Sequence, residues 1–159
     1  MAEQTITSES NGIRMGIITA VVLIVYTGIA ALAGFFDKIE AGTLDIFILV
    51  VGVVLGIKRL KRYKGNRLSY LQGFSSGIIT ALVASVLLAL FFWALGALGV
   101  GDAAAAQRMK ARDLFGADLG VLIGGLGIIL LGTMSGVITS LVAMQYFKSP
   151  DHQSIVSLD

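Results

Sequence analysis

The feature that most constrains this chain is a run of 34 residues, 68–101, that contains no charged side chain. Two further runs, 15–36 with 22 residues and 119–147 with 29, are also uncharged. About 20 apolar residues in a helix cross a hydrocarbon core of roughly 30 Å. A soluble domain would carry about 25% charged residues spread along its surface, against 14% in this chain. The three runs therefore predict membrane-spanning helices.

A fourth uncharged run, 46–57, has 12 residues, or about 18 Å of helix, which is too short to cross a bilayer alone. One solution continues this helix into the basic residues from Lys58 to Arg62, whose long side chains reach the headgroups. The other starts the helix near Lys38 and brings Asp45 below the outer interface. We favour the first, because an acid inside the membrane is energetically expensive.

The fold class expected is all-α: a polytopic membrane protein with four transmembrane helices packed as a bundle. The connector 102–118 contains four consecutive alanines followed by good helix formers, which predicts a short extramembrane helix between helices three and four. Both ends of the chain are polar. The predicted segments are an N-terminal tail 1–12, helices at about 13–36, 42–62, 69–100 and 118–147 within a domain 13–148, and a C-terminal tail 149–159.

A cleaved signal peptide is an alternative for the first helix, since Ala31-Leu32-Ala33 resembles a cleavage site. The segment before this helix has Glu3 and Glu9 against one base, Arg14. A signal peptide requires a positive flank and a shorter apolar stretch, so we favour a retained helix.

Half of the twelve Lys and Arg residues lie in one short loop after helix two. Counting Arg14, this loop and Lys148, one side of the membrane carries eight cations and the other four. Because cations accumulate on the cytoplasmic side, both termini are predicted to be cytoplasmic. The loop could also bind anionic lipid headgroups. Its cations are Lys58, Arg59, Lys61, Arg62, Lys64 and Arg67.

Small residues recur at four-residue spacing inside the apolar runs, which places them on one helix face. Such stripes let two helix backbones approach closely in lipid. They indicate either packing within one bundle, which we favour, or a face for a second copy. The predicted packing residues are Gly73, Gly77 and Ala81 in helix three and Gly120, Gly124, Gly132 and Gly136 in helix four.

The segments 73–84 and 132–143 align with eight of twelve positions identical. Internal repeats occur in transporters, whose sites lie where the repeats meet. Transporter repeats comprise whole groups of helices, so we favour convergence within a restricted alphabet of small and aliphatic residues.

No constellation of catalytic or metal-binding residues is present in the sequence. The chain has no cysteine and one histidine, His152, so a soft metal site is not expected. No nucleophile–base spacing or phosphate-binding loop occurs, so neither an enzyme nor a cofactor is expected. The cations are too localised to predict nucleic-acid binding. Asp45 is the only candidate for an intramembrane titratable group.

The segment from Gly56-Ile-Lys58 through Arg62-Tyr63 to Leu68-Ser-Tyr-Leu-Gln-Gly-Phe74 and Gly77 resembles the bacterial domain-of-unknown-function family 4199. The resemblance extends over about residues 10–148. It implies four membrane helices and a location in the cytoplasmic (inner) membrane, and it implies no activity.

The function expected is that of a non-enzymatic membrane protein, an accessory or structural subunit or a homo-oligomer. Its partners would be the lipid bilayer and another membrane protein or a second copy. The alternative is a small transporter or channel-like protein that uses Asp45.

Overall fold

The computed structural model describes residues 6–32, 39–65, 68–97 and 117–147, and these residues form four long α-helices. Each uncharged run of the sequence contributes residues to a separate helix, in agreement with the all-helical fold expected. The helices are α1 (Ser8–Leu32), α2 (Ile39–Tyr63), α3 (Tyr70–Ala97) and α4 (Ala117–Phe147). Residues 102–116, which hold most of the predicted connector helix, and the tail 149–159 lie outside the described residues.

Three of the helices are long and apolar enough to cross a membrane, with candidate spans Ser8–Ala30, Tyr70–Ala94 and Leu122–Phe147. This confirms the membrane character expected from the sequence. α2 is not among the candidate spans found in the described residues. It carries Asp45 in its first half and several cations in its last turns.

α2 and α3 each contact the other three helices, whereas α1 and α4 do not contact one another within the described part of the chain. Met15 and Thr19 of α1 lie against Gly56 and Gly52 of α2, so these two helices are antiparallel. Gly12 and Gly16 contact Ile79 and Val83, which makes α1 parallel to α3. α4 is antiparallel to α3, as the contacts described below require.

The core lies between these helices and consists mainly of aliphatic side chains. Several are almost inaccessible because they project toward the axis shared by the four helices. The largest buried apolar side chains are Leu23, Val53, Ile57, Leu60 and Met144.

The start of α1 differs from the predicted N-terminal tail, which was expected to continue to residue 12. α1 begins at Ser8, where Thr7 caps it by accepting a hydrogen bond from the amide of Ser10 at 3.2 Å. Asn11, part of the expected tail, is only 3% exposed. Its amide group is hydrogen-bonded inside the bundle, which offsets the cost of burying a polar side chain.

α2 combines both solutions considered for the short run 46–57. It starts at Ile39, before Asp45, and continues through the basic residues to Tyr63. The helix ends in a turn at Gly65, whose φ of 59° is favourable only for glycine and whose amide donates to the carbonyl of Arg62.

Candidate functional site

The contact between α3 and α4 is a seam of small residues, which we call the α3–α4 seam. At each of its four levels a glycine or alanine on one helix meets a side chain of the other. A methyl group built on Gly77 would overlap Oγ of Ser140, and one built on Gly136 would overlap Cβ of Ala81. The backbones of α3 and α4 therefore lie as close together as these small residues permit. The four pairs are Gly73 with Met144, Gly77 with Ser140, Ala81 with Gly136, and Ser85 with Gly132.

The two similar segments of the sequence, 73–84 and 132–143, face each other along this seam. Exchanging the segments maps the first pair of the seam onto the fourth and the second onto the third. The antiparallel pair α3–α4 thus has a local pseudo-two-fold relation, in which glycines at equivalent positions contact residues at equivalent positions on the other helix. The sequence similarity accordingly has a packing counterpart in the structure.

Two of the predicted packing residues, Gly120 and Gly124, are not part of the α3–α4 seam as described. Gly124 has no atom within 4 Å of the position of an added Cβ, so it faces away from the other helices. Gly120 belongs to α4, but its surroundings are outside the described residues. Gly125 is not among the predicted packing residues, although a Cβ added there would overlap the indole ring of Trp93. No spacing rule identifies Gly125, because its role depends on one large partner.

A second seam joins α1 to the opposite side of α3. Ideal Cβ atoms on Gly12 and Gly16 would lie 2.8 Å from Cβ of Ile79 and 2.7 Å from Cβ of Val83. Here the small residues are on α1 and branched side chains of α3 fill the space beside them.

A buried polar junction connects α1, α2 and α3 beside this second seam. Nδ2 of Asn11 donates to the carbonyl of Gly56 and to Oγ of Ser76, both at 3.0 Å. Oγ1 of Thr80 donates to the carbonyl of Ser76 at 2.8 Å and lies 3.3 Å from the carbonyl of Gly12. Asn11, Ser76 and Thr80 are all buried. Asn11 lies within the predicted N-terminal tail 1–12, whereas the structure buries it among the helices.

The cations at the basic end of α2 fall into two groups, those with a partner among the described residues and those without one there. Nζ of Lys61 donates to the carbonyl of Phe147 at 3.0 Å, and Nζ of Lys64 donates to Oε1 of Gln72 at 2.7 Å. The guanidinium of Arg59 lies 3.6 Å from Sδ of Met15 and 5.6 Å from the centre of the Tyr63 ring. Lys58 and Arg62 are exposed. Arg67 lies outside the described residues.

Near the opposite end of the bundle, two buried oxygen atoms have no hydrogen-bond partner among the residues that the structure describes: Oγ1 of Thr27 and Oδ1 of Asp45. Thr19 lies against Gly52, and eight residues along α1 or seven back along α2 correspond to about 12 and 10 Å. Thr27 and Asp45 therefore lie at about the same height in the bundle. Within the described ranges, no group of three or more His, Cys, Asp or Glu residues could hold a metal ion.

Comparison with known proteins gives one match. A family model described as "Protein of unknown function (DUF4199)" matches residues 14–98, which include most of α1, all of α2 and α3, but none of α4. No curated protein and no solved structure matches the chain.

Proposed function

Because this chain belongs to the DUF4199 family of proteins of unknown function, we propose a role that its own packing supports: a non-catalytic subunit of a membrane assembly, or a homo-oligomer, with four spanning helices. The observation that carries the proposal is the unequal burial of its helices. In the 18-residue apolar window within the candidate span of α4, 17% of the residues are buried, against 39% in the corresponding windows of α1 and α3. α4 thus lies at the edge of the bundle and leaves most of its surface free.

α2 is the proposed fourth span. Its 25 residues correspond to roughly 37 Å of helix, longer than a hydrocarbon core of about 30 Å. It packs antiparallel to α1 and α3 and contributes the buried residues Leu49, Val53 and Ile57 to their common core. A helix packed in this way crosses the same layer as its neighbours, and the cations in its last turns can reach the headgroups.

The orientation proposed follows the distribution of cations. The described cations of α1 and α2 lie at one end of the bundle, where Met15 of α1 is adjacent to Gly56 of α2. This end is assigned to the cytoplasmic side of a bacterial inner membrane, together with both termini. The connector between α1 and α2 and the connector between α3 and α4 then face outward.

The exposed side of α4 is the proposed contact surface for a partner or a second copy. Large apolar side chains on it are 60–67% exposed, and Gly124 offers an open position in the same helix. Close packing on such a surface would supply the dispersion energy that drives helix association in lipid. The most exposed of these side chains are Leu130, Leu131, Met134, Ile138 and Val142.

The test is purification in mild detergent at native expression level, followed by native mass determination. We expect a stoichiometric partner or a defined oligomer, which is lost in Ile138→Trp but retained in Val25→Trp. Both residues are exposed to a similar extent, 60% and 55%, on different helices. A wild-type chain that runs strictly as a monomer without a partner would rule out the proposal.

A second candidate function, a small transporter or channel, is favoured by the unpartnered oxygens of Thr27 and Asp45 at one height of the bundle. Unsatisfied polar atoms inside a membrane protein are functional candidates, because burial without a partner is unfavourable. The test is ion and solute flux in proteoliposomes with Asp45→Asn, and with Glu9→Gln as a control that removes an exposed carboxylate. A wild-type protein that moves no ion or solute above the level of protein-free liposomes would eliminate this candidate, and equal flux in all three proteins would exclude a role for Asp45.

A further inference from the structure

We infer that the outward face of α2 binds one anionic phospholipid, whose phosphate is held between Lys58 and Arg62. The inference rests on the proposed function in one respect: it takes α2 as a spanning helix with its basic end at the cytoplasmic interface. It does not depend on the existence of a protein partner.

Lys58 and Arg62 differ from the other described cations of α2 in what surrounds them. Lys61 and Lys64 donate to acceptors within the protein, and Arg59 packs over Met15 and Tyr63. Neither Lys58 nor Arg62 has a hydrogen-bond or ion-pair partner among the described residues, and both are exposed. Two cations thus remain available to a ligand.

The two free cations lie one helical turn apart on the same face, since residues four apart project in the same direction. The only acidic side chain described near this end is Glu9, in the first turn of α1. A phosphate placed between the two cations would therefore meet positive charge from both sides. Charged hydrogen bonds of this type are stronger than neutral ones.

The apolar part of the same face fits an acyl chain. Moving from Lys58 toward the membrane centre, the face contains Leu55, Val51 and Phe47, which are 49%, 39% and 66% exposed. From Lys58 to Phe47 the helix rises about 16 Å, which matches half of a hydrocarbon core of roughly 30 Å. A lipid in the cytoplasmic leaflet would match this face in both charge and length.

The occupant is a phospholipid with net negative charge, because a zwitterionic headgroup carries its own cation and would add a third positive group. A free phosphate ester would use the two cations only. It would lack the contacts with Leu55, Val51 and Phe47.

The test compares two double variants that remove the same charge from the same helix end: Lys58→Gln/Arg62→Gln and Lys61→Gln/Lys64→Gln. The full chain is reconstituted in nanodiscs that contain phosphatidylglycerol and phosphatidylcholine, and retained lipid is counted by native mass spectrometry. Surface cations contribute a factor of about five each to anionic lipid binding. We expect the first variant to lose at least about five times more phosphatidylglycerol retention than the second.

Equal losses in the two variants would mean that only the long-range field of the cations acts, and this result would overturn the inference. So would a wild-type chain without preference for phosphatidylglycerol, or displacement of the lipid by soluble glycerol phosphate at millimolar concentration. The native mass of the assembly is read from the same spectra. A lipid site can therefore fail while the oligomer or complex remains intact, and the reverse result is equally visible.

Discussion

The two sides of α3 use different means to hold their neighbours. On the side of α4, small residues meet single side chains, and the hydroxyl of Ser140 donates only to the carbonyl of Gly136 in its own helix. On the side of α1 and α2, Asn11 donates to Gly56 and Ser76 on two other helices. Both sides lie within one bundle, so they experience the same lipid environment.

This difference separates two contributions to stability in a membrane protein. Lipid provides no hydrophobic drive between helices, so association depends on close packing and on interhelical hydrogen bonds. The α3–α4 seam depends almost wholly on backbone proximity, whereas the polar junction adds directional bonds. Substitutions that add volume at the α3–α4 seam should therefore lower the free energy of unfolding. At the polar junction, the same result is expected from substitutions that remove a polar group.

The largest loss of stability is expected for Gly136→Ala. Its methyl group would overlap Cβ of Ala81, which cannot rotate away, so α3 and α4 must separate. Overpacking of this kind destabilises by about 1–3 kcal/mol. SDS-induced unfolding in mixed micelles measures the loss.

The matched control is Gly124→Ala, the same change in the same helix at a position with open space. It should leave the free energy of unfolding unchanged or slightly increased. Equal destabilisation by Gly136→Ala and Gly124→Ala would show that close contact at the α3–α4 seam does not determine the stability of the bundle.

Asn11→Ala is expected to rank second, with a loss of about 1–2 kcal/mol. The substitution leaves the carbonyl of Gly56 and Oγ of Ser76 without this donor in a buried site. A double-mutant cycle with Ser76→Ala measures the pairwise part, expected to be at least about 0.5 kcal/mol. Strict additivity of the two single changes would show that this hydrogen bond contributes no stability.

Gly73→Ala is expected to destabilise by less than about 1 kcal/mol, although its position in the seam is equivalent to that of Gly132. Its added methyl group would meet the thioether of Met144, an unbranched side chain that can change rotamer. Thermal unfolding in detergent should thus rank Gly73→Ala clearly below Gly136→Ala. The reverse order would indicate that the end of the seam is more rigid than its middle.

Ser140→Ala is expected to have the smallest effect, within about 0.5 kcal/mol. The hydroxyl of Ser140 donates its hydrogen bond within α4, so the substitution removes no hydrogen bond between helices. A loss comparable to that of Asn11→Ala, measured by the same SDS titration, would remove the distinction between the two sides of α3.

Several features of the bundle could be predicted from local pattern. The uncharged runs place α1, α3 and α4, because the length of a span is set by bilayer thickness alone. Four-residue spacing identifies Gly73, Gly77, Gly132 and Gly136 as candidates for close contact, because it defines a face. Spacing does not say which face meets which neighbour, so Gly124 was grouped with them although it has no neighbour.

Asn11 illustrates what local pattern cannot predict. In the sequence it belongs to a polar segment, and polar segments are normally terminal tails. Its burial depends on a carbonyl 45 residues away and a hydroxyl 65 residues away. No property of the segment itself reveals these partners.

The sequence by itself determined that this chain is a helical membrane protein, where its apolar helices lie, and which end of the bundle is basic. These properties follow from composition and periodicity along the chain, which lipid and helix geometry convert directly into structure. Only the tertiary structure decided that the similar segments of α3 and α4 pack against each other. It also decided that Lys61 and Lys64 have protein acceptors, while Lys58 and Arg62 are exposed and have no partner among the described residues. Pairing is a property of two distant segments at once, and it depends on the rotation of each helix about its axis.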